Sequence, residues 1–168
     1  AVESKNNGFS ELIDVGSGDG RIAFCGKILG LKSYSIEIDE QLSNLQIDIM
    51  KNSSINFTVI NDDATLVDYN KLSSKKPVFF IGGLPENGEI LADSIIKKIL
   101  NSSISQKTSC FVLTGSLARR KFDKEQLDFG WSMITKKFNL TIVKVVNLPT
   151  YWTMEQPFVT PYIFTKQS

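Results

Sequence analysis

The sequence predicts an α/β fold in which one mostly parallel sheet is covered by helices on both faces. Short apolar runs alternate along the chain with segments of about 10–15 residues whose apolar positions recur at helical spacing. Strands joined through helices need crossover connections, which place neighbouring strands parallel. The chain has 168 residues, of which 42% are hydrophobic, so we expect residues 1–168 to form one domain with its own core.

Seven strands and four helices follow from these patterns. The predicted strands span residues 11–15, 34–38, 55–60, 77–81, 109–113, 140–148 and 161–166. The predicted helices span residues 21–29, 39–51, 89–100 and 120–137. Only about a dozen residues, Pro149 and Pro157 among them, separate the last two strands, which is too few for a helical crossover. The seventh strand should therefore run antiparallel to the sixth.

The apolar residues of each helix indicate which face packs on the sheet. The residues expected to face the core are Ile22, Cys25, Ile28 and Leu29 in the first helix, Leu42, Leu45 and Ile49 in the second, and Ile95 and Ile99 in the third. Cys110 and Trp131 also lie in apolar patterns, so we expect both in the core.

The composition excludes several kinds of site. Lys and Arg total 19 and Asp and Glu total 18, so a net charge of +1 argues against a large basic surface for nucleic acid. Histidine is absent, which excludes histidine triads, bases and metal ligands. Two cysteines are too few for a four-cysteine site, so no metal is expected. No apolar run reaches ~18 residues and residues 1–10 hold no signal-peptide core, which indicates a cytoplasmic protein without a membrane span.

A glycine-rich turn follows the first predicted strand and is the most specific motif in the sequence. It reads Asp14-Val-Gly16-Ser17-Gly18-Asp-Gly20. Glycines let the backbone turn sharply and approach a ligand, and the N–H groups that open the next helix favour an anionic group. A turn that binds nothing is the structural alternative. Three alternating glycines directly after a strand argue for a ligand instead.

Acidic residues follow the next two strands at the same edge of the predicted sheet. Glu37 ends the second strand, where a carboxylate can accept hydrogen bonds from a ribose diol, and Ile38 could cover a purine ring. Asp62, Asp63 and Ala64 follow the third strand and could meet the amine and a ring nitrogen of adenine. The structural alternatives are a solvated acid, a core position for Ile38, and a turn rich in Asx residues.

These features define a nucleoside site and leave a choice of cofactor. The dinucleotide fingerprint G-x-G-x-x-G needs a third glycine five residues after the first, where this sequence has Arg21. The sequence contains no G-x-x-x-x-G-K-[ST] loop for ATP. The glycine motif therefore favours S-adenosylmethionine over NAD as the cofactor. NAD stays open as an alternative.

Residues 13–21, 35–39 and 62–64 resemble the first three cofactor motifs of class I S-adenosylmethionine-dependent methyltransferases. The resemblance extends over nearly the whole chain in the order of its elements. It implies a Rossmann-like seven-stranded sheet in the order 3-2-1-4-5-7-6, and the motif strings are most similar to a small single-domain subgroup that includes archaeal protein-lysine methyltransferases. The contacts that the resemblance implies are Gly16 and Gly18 for the methionine part, Asp14 for its amino group, Glu37 for the ribose, and Asp63 with Ala64 for the adenine.

Two departures from that family bear on the acceptor. The [D/N]-P-P-[Y/F] motif of enzymes that methylate amino groups of nucleic acids or glutamine is replaced by Gly82-Gly-Leu84-Pro85-Glu86-Asn. This argues against adenine-N6 and glutamine acceptors. Family members usually carry a helix before the first strand, whereas only ten mostly polar residues precede Glu11.

Two loops at the predicted ligand edge are candidates to contact the acceptor. One is the Gly82 loop, whose Leu84, Pro85 and Glu86 follow the fourth strand. The other precedes the seventh strand, and its Tyr151 and Trp152 could wall a substrate channel, bind a cation or cap the core.

We therefore expect methyl transfer from S-adenosylmethionine to an acceptor that is a protein side-chain amine. An RNA or small-molecule acceptor is the alternative within the same reaction. A non-catalytic or NAD-binding Rossmann-like module is the alternative outside it. The sequence assigns no catalytic residue and no oligomeric state.

Overall fold

The computed structural model describes residues 1–72, 75–83, 88–103, 110–115, 131–150 and 158–167. The described strands are β1 (Glu11–Val15), β2 (Lys32–Glu37), β3 (Thr58–Asn61), β4 (Pro77–Gly83), β5 (Cys110–Gly115), β6 (Leu140–Thr150) and β7 (Phe158–Gln167). The described helices are α1 (Val2–Asn6), α2 (Arg21–Ile28), α3 (Glu40–Ser53), α4 (Gly88–Leu100) and α5 (Trp131–Lys137), with a 3-10 turn at Tyr69–Lys71. Within these ranges, no helix has the length and apolar character needed to cross a membrane.

The strands form one seven-stranded sheet in the order β3-β2-β1-β4-β5-β7-β6, which confirms the predicted topology. β1 pairs in parallel with β2 and β4, and parallel pairing continues outward to β3 and β5. β7 lies between β5 and β6 and is antiparallel to both, as the short connection before it predicted. The carboxyl ends of β1 to β4 therefore meet at one edge of the sheet.

Apolar side chains form two cores, one on each face of the sheet. In β1, Ile13 and Val15 belong to the larger core and Leu12 to the smaller one. Ile95 of α4 and Ile134 of α5 are fully buried in the larger core. All five residues of β1 are buried, which is typical of a central strand in a parallel sheet.

α2 lies close to the sheet because Gly26 has no side chain. A Cβ at this position would stand 2.6 Å from Ser33 Oγ of β2 and 3.2 Å from Leu12 Cδ1 of β1. Ala23 and Gly26 are the buried residues of α2, and they lie three positions apart on one helix face. Small residues therefore form the contact between this helix and the sheet.

The prediction that Cys25 lies in the core was wrong. Since α2 turns Ala23 and Gly26 toward the sheet, Cys25 and Ile28 are exposed. Both instead line a groove of about 620 Å³ formed with α1 and strands β4, β6 and β7. Cys110 is buried in the smaller core, as predicted.

The predicted inward face of α3 was also wrong. Leu45 and Ile49 are exposed, whereas Ser43 and Gln46 are the buried residues of this helix. The strand beside it explains the reversal, because Ser35 of β2 donates a hydrogen bond to Gln46. α3 thus meets the sheet through polar side chains.

The segment before β1 contains a helix that the sequence did not predict. α1 spans Val2–Asn6, and the Lys144 Nζ of β6 lies 2.7 Å from a carboxylate oxygen of Glu3. Of the helix predicted over residues 120–137, the structure describes only α5, whose Trp131 is buried as expected. The rest of that prediction lies outside the described residues.

Candidate functional site

The glycine-rich turn connects β1 to α2 with three glycines in the left-handed region. φ is 67° at Gly16, 58° at Gly18 and 75° at Gly20. The N–H groups of Gly16 and Ser17 donate to the Ile36 carbonyl of β2, with N···O distances of 3.0 and 3.1 Å. No heavy atom of the described residues lies within 4 Å of a Cβ built at Gly16 or Gly18. The turn therefore borders open space that a side chain at either position would enter.

The carboxyl group of Asp14 lies buried directly before this turn. Its Oδ2 has no hydrogen-bond partner among the described residues. Burial raises the pKa of Asp14 to about 7; a hydrogen bond from the Ala23 N–H opposes the shift, and the charges of Asp19 and Glu37 add to it. A buried carboxylate with an unused acceptor is satisfied when a cationic or hydrogen-bond-donating ligand reaches it.

Glu37 ties the end of β2 to the glycine-rich turn. Its Oε2 accepts from the Gly18 N–H at 2.7 Å and its Oε1 accepts from the Asp39 N–H at 3.0 Å. Each carboxylate oxygen can accept more than one hydrogen bond, so capacity remains for a diol. Ile38, the next residue, is 69% exposed, which excludes a core position for it.

The segment after β3 forms a turn built on its acidic residues. Asn61 Nδ2 donates back to a carbonyl at the end of β2 at 2.9 Å, and Asp62 Oδ1 accepts from the Asp63 N–H at 2.8 Å. Asp63 Oδ1 accepts from both the N–H and the hydroxyl of Thr65, and these bonds lower the pKa of Asp63. Ala64 is buried. The contacts are those of an Asx-rich turn, in which Asp62 is exposed and Asp63 is half-buried.

A buried polar network behind the glycine-rich turn was missed by the sequence analysis. It joins Ser17 of the turn, Ser35 of β2 and Gln46 of α3. Ser35 and Gln46 are fully buried. The available signal was the alternation of Ser33, Ser35 and Glu37 along β2, which places polar residues on a face that would otherwise be apolar.

Gly82 lies at the end of β4, beside the glycine-rich turn. The register pairs Val15 with Ile81, so Gly82 is one step beyond the end of β1. A Cβ at Gly82 would meet no heavy atom of the described residues within 4 Å. The candidate acceptor contacts that follow lie outside the described residues and stay predictions: Leu84, Pro85, Glu86, Tyr151 and Trp152.

The charges around the glycine-rich turn favour a cationic ligand over a pyrophosphate. Asp14, Asp19 and Glu37 all lie near the turn. Arg21, which stands where a dinucleotide fold needs its third glycine, pairs with Asp19 at 2.9 Å, and its side chain is 66% exposed. Among these residues Arg21 pairs only with Asp19, so Asp14 and Glu37 have no basic partner here. Their carboxylates would repel phosphates held against the turn.

Comparison with known proteins gives one curated relative at low identity. The chain is 22% identical over 150 residues to ribosomal RNA small subunit methyltransferase A of Desulforapulum autotrophicum. The aligned region is 88% of this chain and 52% of that protein, so the chain spans about half the length of the relative it matches. No protein-family model matches the sequence.

Solved structures resemble the chain over nearly its whole length. The magnesium protoporphyrin IX methyltransferase of Synechocystis PCC 6803 with bound S-adenosylmethionine matches 99% of this chain and 74% of its own, with a TM-score of 0.66 and 12% identity. The tRNA (uracil-54, C5)-methyltransferase of Pyrococcus abyssi in complex with S-adenosyl-L-homocysteine matches 98% of this chain and 36% of its own, with a TM-score of 0.68 and 11% identity. With the strand order described above, the chain has the seven-stranded Rossmann-like fold of the class I S-adenosylmethionine-dependent methyltransferases.

Proposed function

We propose that the chain binds S-adenosylmethionine at the glycine-rich turn and is a methyltransferase. One observation carries the proposal: the carboxyl group of Asp14, two residues before Gly16, has a buried oxygen without a partner among the described residues, and the turn that follows it has open space at Gly16 and Gly18. An amino-acid ammonium placed there would satisfy that oxygen. Structures with the same fold that contain S-adenosylmethionine or its product support the choice of cofactor.

The remaining contacts follow the order of the strands along the sheet edge. We assign the ribose diol to Glu37, whose carboxylate already faces the turn through its bond to the Gly18 N–H. The exposed side chain of Ile38 would cover one face of the adenine. Asp62 is the carboxylate that we assign to the adenine amine, because it is exposed and accepts one hydrogen bond within the turn, whereas Asp63 is half-buried and accepts two from Thr65. The N–H of Ala64 completes the adenine subsite, since the N–H of Asp63 donates to Asp62.

The residues of this chain contribute binding and alignment to the reaction. When bound, S-adenosylmethionine would supply an electrophilic methyl group on its sulfonium sulfur, and the acceptor would take that methyl group in line as S-adenosyl-L-homocysteine leaves. Such a displacement depends on positioning and on exclusion of water, so the absence of histidine is compatible with it. Gly82 leaves space beside the turn for the acceptor to approach.

Two classes of acceptor are supported by different observations. The motif resemblance to small protein-lysine methyltransferases favours a protein side-chain amine, which is our first expectation. RNA is favoured by named relatives that methylate ribosomal RNA or tRNA. The net charge of +1 favours the protein acceptor, because this chain alone has little excess charge for a phosphate backbone.

Calorimetric titration with S-adenosyl-L-homocysteine and with NAD tests the cofactor. We compare the wild-type chain, Gly18→Ala and a matched control, Gly30→Ala. Both glycines have a positive φ and open space around a Cβ, but Gly30 follows α2 at the opposite end of the helix from the turn. Each substitution should cost about 1 kcal/mol of unfolding free energy, and only Gly18→Ala should abolish binding. Binding of NAD but not of the homocysteine derivative would contradict the proposal.

Transfer of a labelled methyl group tests the acceptor. The chain and labelled S-adenosylmethionine are incubated separately with protein and with RNA from the same extract. Label in protein that survives nuclease treatment supports the amine acceptor, and label in RNA that survives protease supports RNA. Cofactor binding without transfer to either would contradict the methyltransferase assignment for these macromolecules.

A further inference from the structure

We infer that Gln46 is a positioning residue that holds the glycine-rich turn in its cofactor-binding shape. The inference rests on the proposed function, because it concerns the same site. It assigns a role to a side chain on α3, which follows a different strand from the turn and was expected to present apolar residues to the sheet.

The carboxamide of Gln46 closes a ring of hydrogen bonds with two serines. Ser35 Oγ donates to Gln46 Oε1, Gln46 Nε2 donates to Ser17 Oγ at 3.0 Å, and the two serine oxygens lie 2.6 Å apart. A hydroxyl has one hydrogen, so Ser17 must donate to Ser35. Each member of the ring then both donates and accepts. All three side chains are buried, which makes any broken bond of the ring costly.

The second N–H of the carboxamide reaches the turn itself. Gln46 Nε2 donates to the Gly18 carbonyl at 2.7 Å, while the Gly18 N–H donates to Glu37 Oε2 at 2.7 Å. Gly18 is therefore held at both of its backbone polar groups, by α3 on one side and by β2 on the other. A turn fixed in this way loses less conformational entropy when a ligand binds.

Gln46 also fills the space against the last glycine of the turn. A Cβ at Gly20 would lie 2.7 Å from Gln46 Cδ. On α4, by contrast, the contact with the sheet is made by apolar residues such as Ile95 and Ile99. An apolar residue would pack equally well at a contact that served only stability, because a buried polar group needs partners to offset its desolvation. The hydrogen-bond partners of Gln46 include Ser17 and Gly18 of the turn, which indicates that this polar contact serves the turn.

The test measures the affinity for S-adenosyl-L-homocysteine against the free energy of unfolding. Gln46→Met keeps the side-chain length but removes every hydrogen bond, and Gln46→Glu keeps an acceptor for Ser35 but loses both N–H donors. The control is Thr165→Val, which removes a buried hydroxyl of β7 that donates to the Phe111 carbonyl at 3.0 Å. Calorimetry is run well below the melting temperature of every variant, and amide hydrogen exchange is followed at Gly18.

We expect the Kd to rise at least about tenfold in both Gln46 variants, with faster exchange at Gly18. Thr165→Val should lose stability and keep the wild-type Kd. Wild-type Kd in both Gln46 variants would overturn the inference and leave the proposed function intact. The inference would also be overturned if the Kd of Thr165→Val rose in proportion to its loss of unfolding free energy. Loss of stability alone would then weaken binding. Failure of the wild-type chain to bind would overturn the proposed function, and with it the cofactor role of Gln46.

Discussion

The buried carboxyl group of Asp14 makes the site sensitive to pH near neutrality. Its pKa is raised from an ordinary value of 3.8 to about 7. A carboxyl group whose pKa is higher in the folded chain than in the unfolded chain stabilises the fold fully at a pH below its unfolded pKa. This contribution is lost as the pH rises through the folded pKa. The ligand-free chain therefore loses stability between pH 3.8 and about 7, where Asp14 is ionised in the unfolded chain and still protonated in the folded one.

Binding of S-adenosyl-L-homocysteine should have the opposite dependence. The ligand ammonium pairs with ionised Asp14, so the Kd should rise about tenfold for each pH unit below 7 and level off above it. In Asp14→Asn this dependence should be absent and the affinity lower throughout. Calorimetry from pH 5.5 to 8.5 (roughly one and a half units to either side of the folded value) measures both. An unchanged pH profile in Asp14→Asn would remove Asp14 from the ligand contacts.

Among single residues, the sequence indicated the candidate site residues that directly follow a strand. It did not indicate residues that act through another side chain. Glu37 and the glycines stand at a recognisable spacing, and the structure gathers them at one edge. Gln46 carries no such signal, because its role depends on how α3 lies against β2. The sequence did not indicate which of Asp62 and Asp63 would contact the adenine, because contacts made in the folded turn, such as those with Thr65, distinguish them.

At the scale of the elements, the close approach of α2 to β2 depends on Gly26. Helix propensity alone favours Gly26→Ala by about 1 kcal/mol. Contact of the new methyl group with Ser33 Oγ, 2.6 Å from the ideal Cβ, opposes that gain. The balance of the two effects reports how tightly the helix and strand are packed.

We expect Gly26→Ala to lower the free energy of unfolding by about 1–3 kcal/mol, because overpacking outweighs propensity. Adding Ser33→Ala should restore part of the loss, since the nearest atom is then absent. Urea denaturation of the two single variants and the double variant measures the coupling. A stabilising Gly26→Ala would show that the helix moves away from the strand at little cost.

The same contacts explain why the positions of the strands and the direction of β7 were predictable from local patterns and the faces of two helices were not, whereas the order of the strands came from the family resemblance. Strand positions come from apolar runs and from connection length, both of which are local. The buried face of α4 followed the apolar pattern, with Ile95 and Ile99 inward. α2 and α3 turn glycine, serine and glutamine inward instead, because β2 offers them Ser33 and Ser35.

At the scale of the molecule, the two faces of the sheet are unequally sealed. Phe79 and Phe80 are neighbours in β4 and enter opposite cores. Phe79 is fully buried and its ring centroid lies 5.7 Å from that of Phe111. Phe80 is 9% exposed and lines the groove beside α2, with Tyr162 as its aromatic neighbour.

Phe79→Ala should therefore cost about 3–5 kcal/mol of unfolding free energy, and Phe80→Ala roughly 1–3 kcal/mol. The reason is that truncation of Phe79 leaves a closed cavity, whereas truncation of Phe80 widens a groove that already opens to solvent. Chemical denaturation of the two variants gives the comparison. Equal losses would mean that the groove is covered in solution.

The place of β7 in the sheet has a consequence for the newly made chain. β7 follows β6 in the chain, yet it is an inner strand that joins β5 to β6. While the chain is still emerging from a ribosome, β1 to β5 can pair in sequence, but β6 has no strand to join. β5 exposes an unpaired edge during this interval, which is an opportunity for association with other chains. Emergence of β7 from the ribosome is therefore the event that closes this edge.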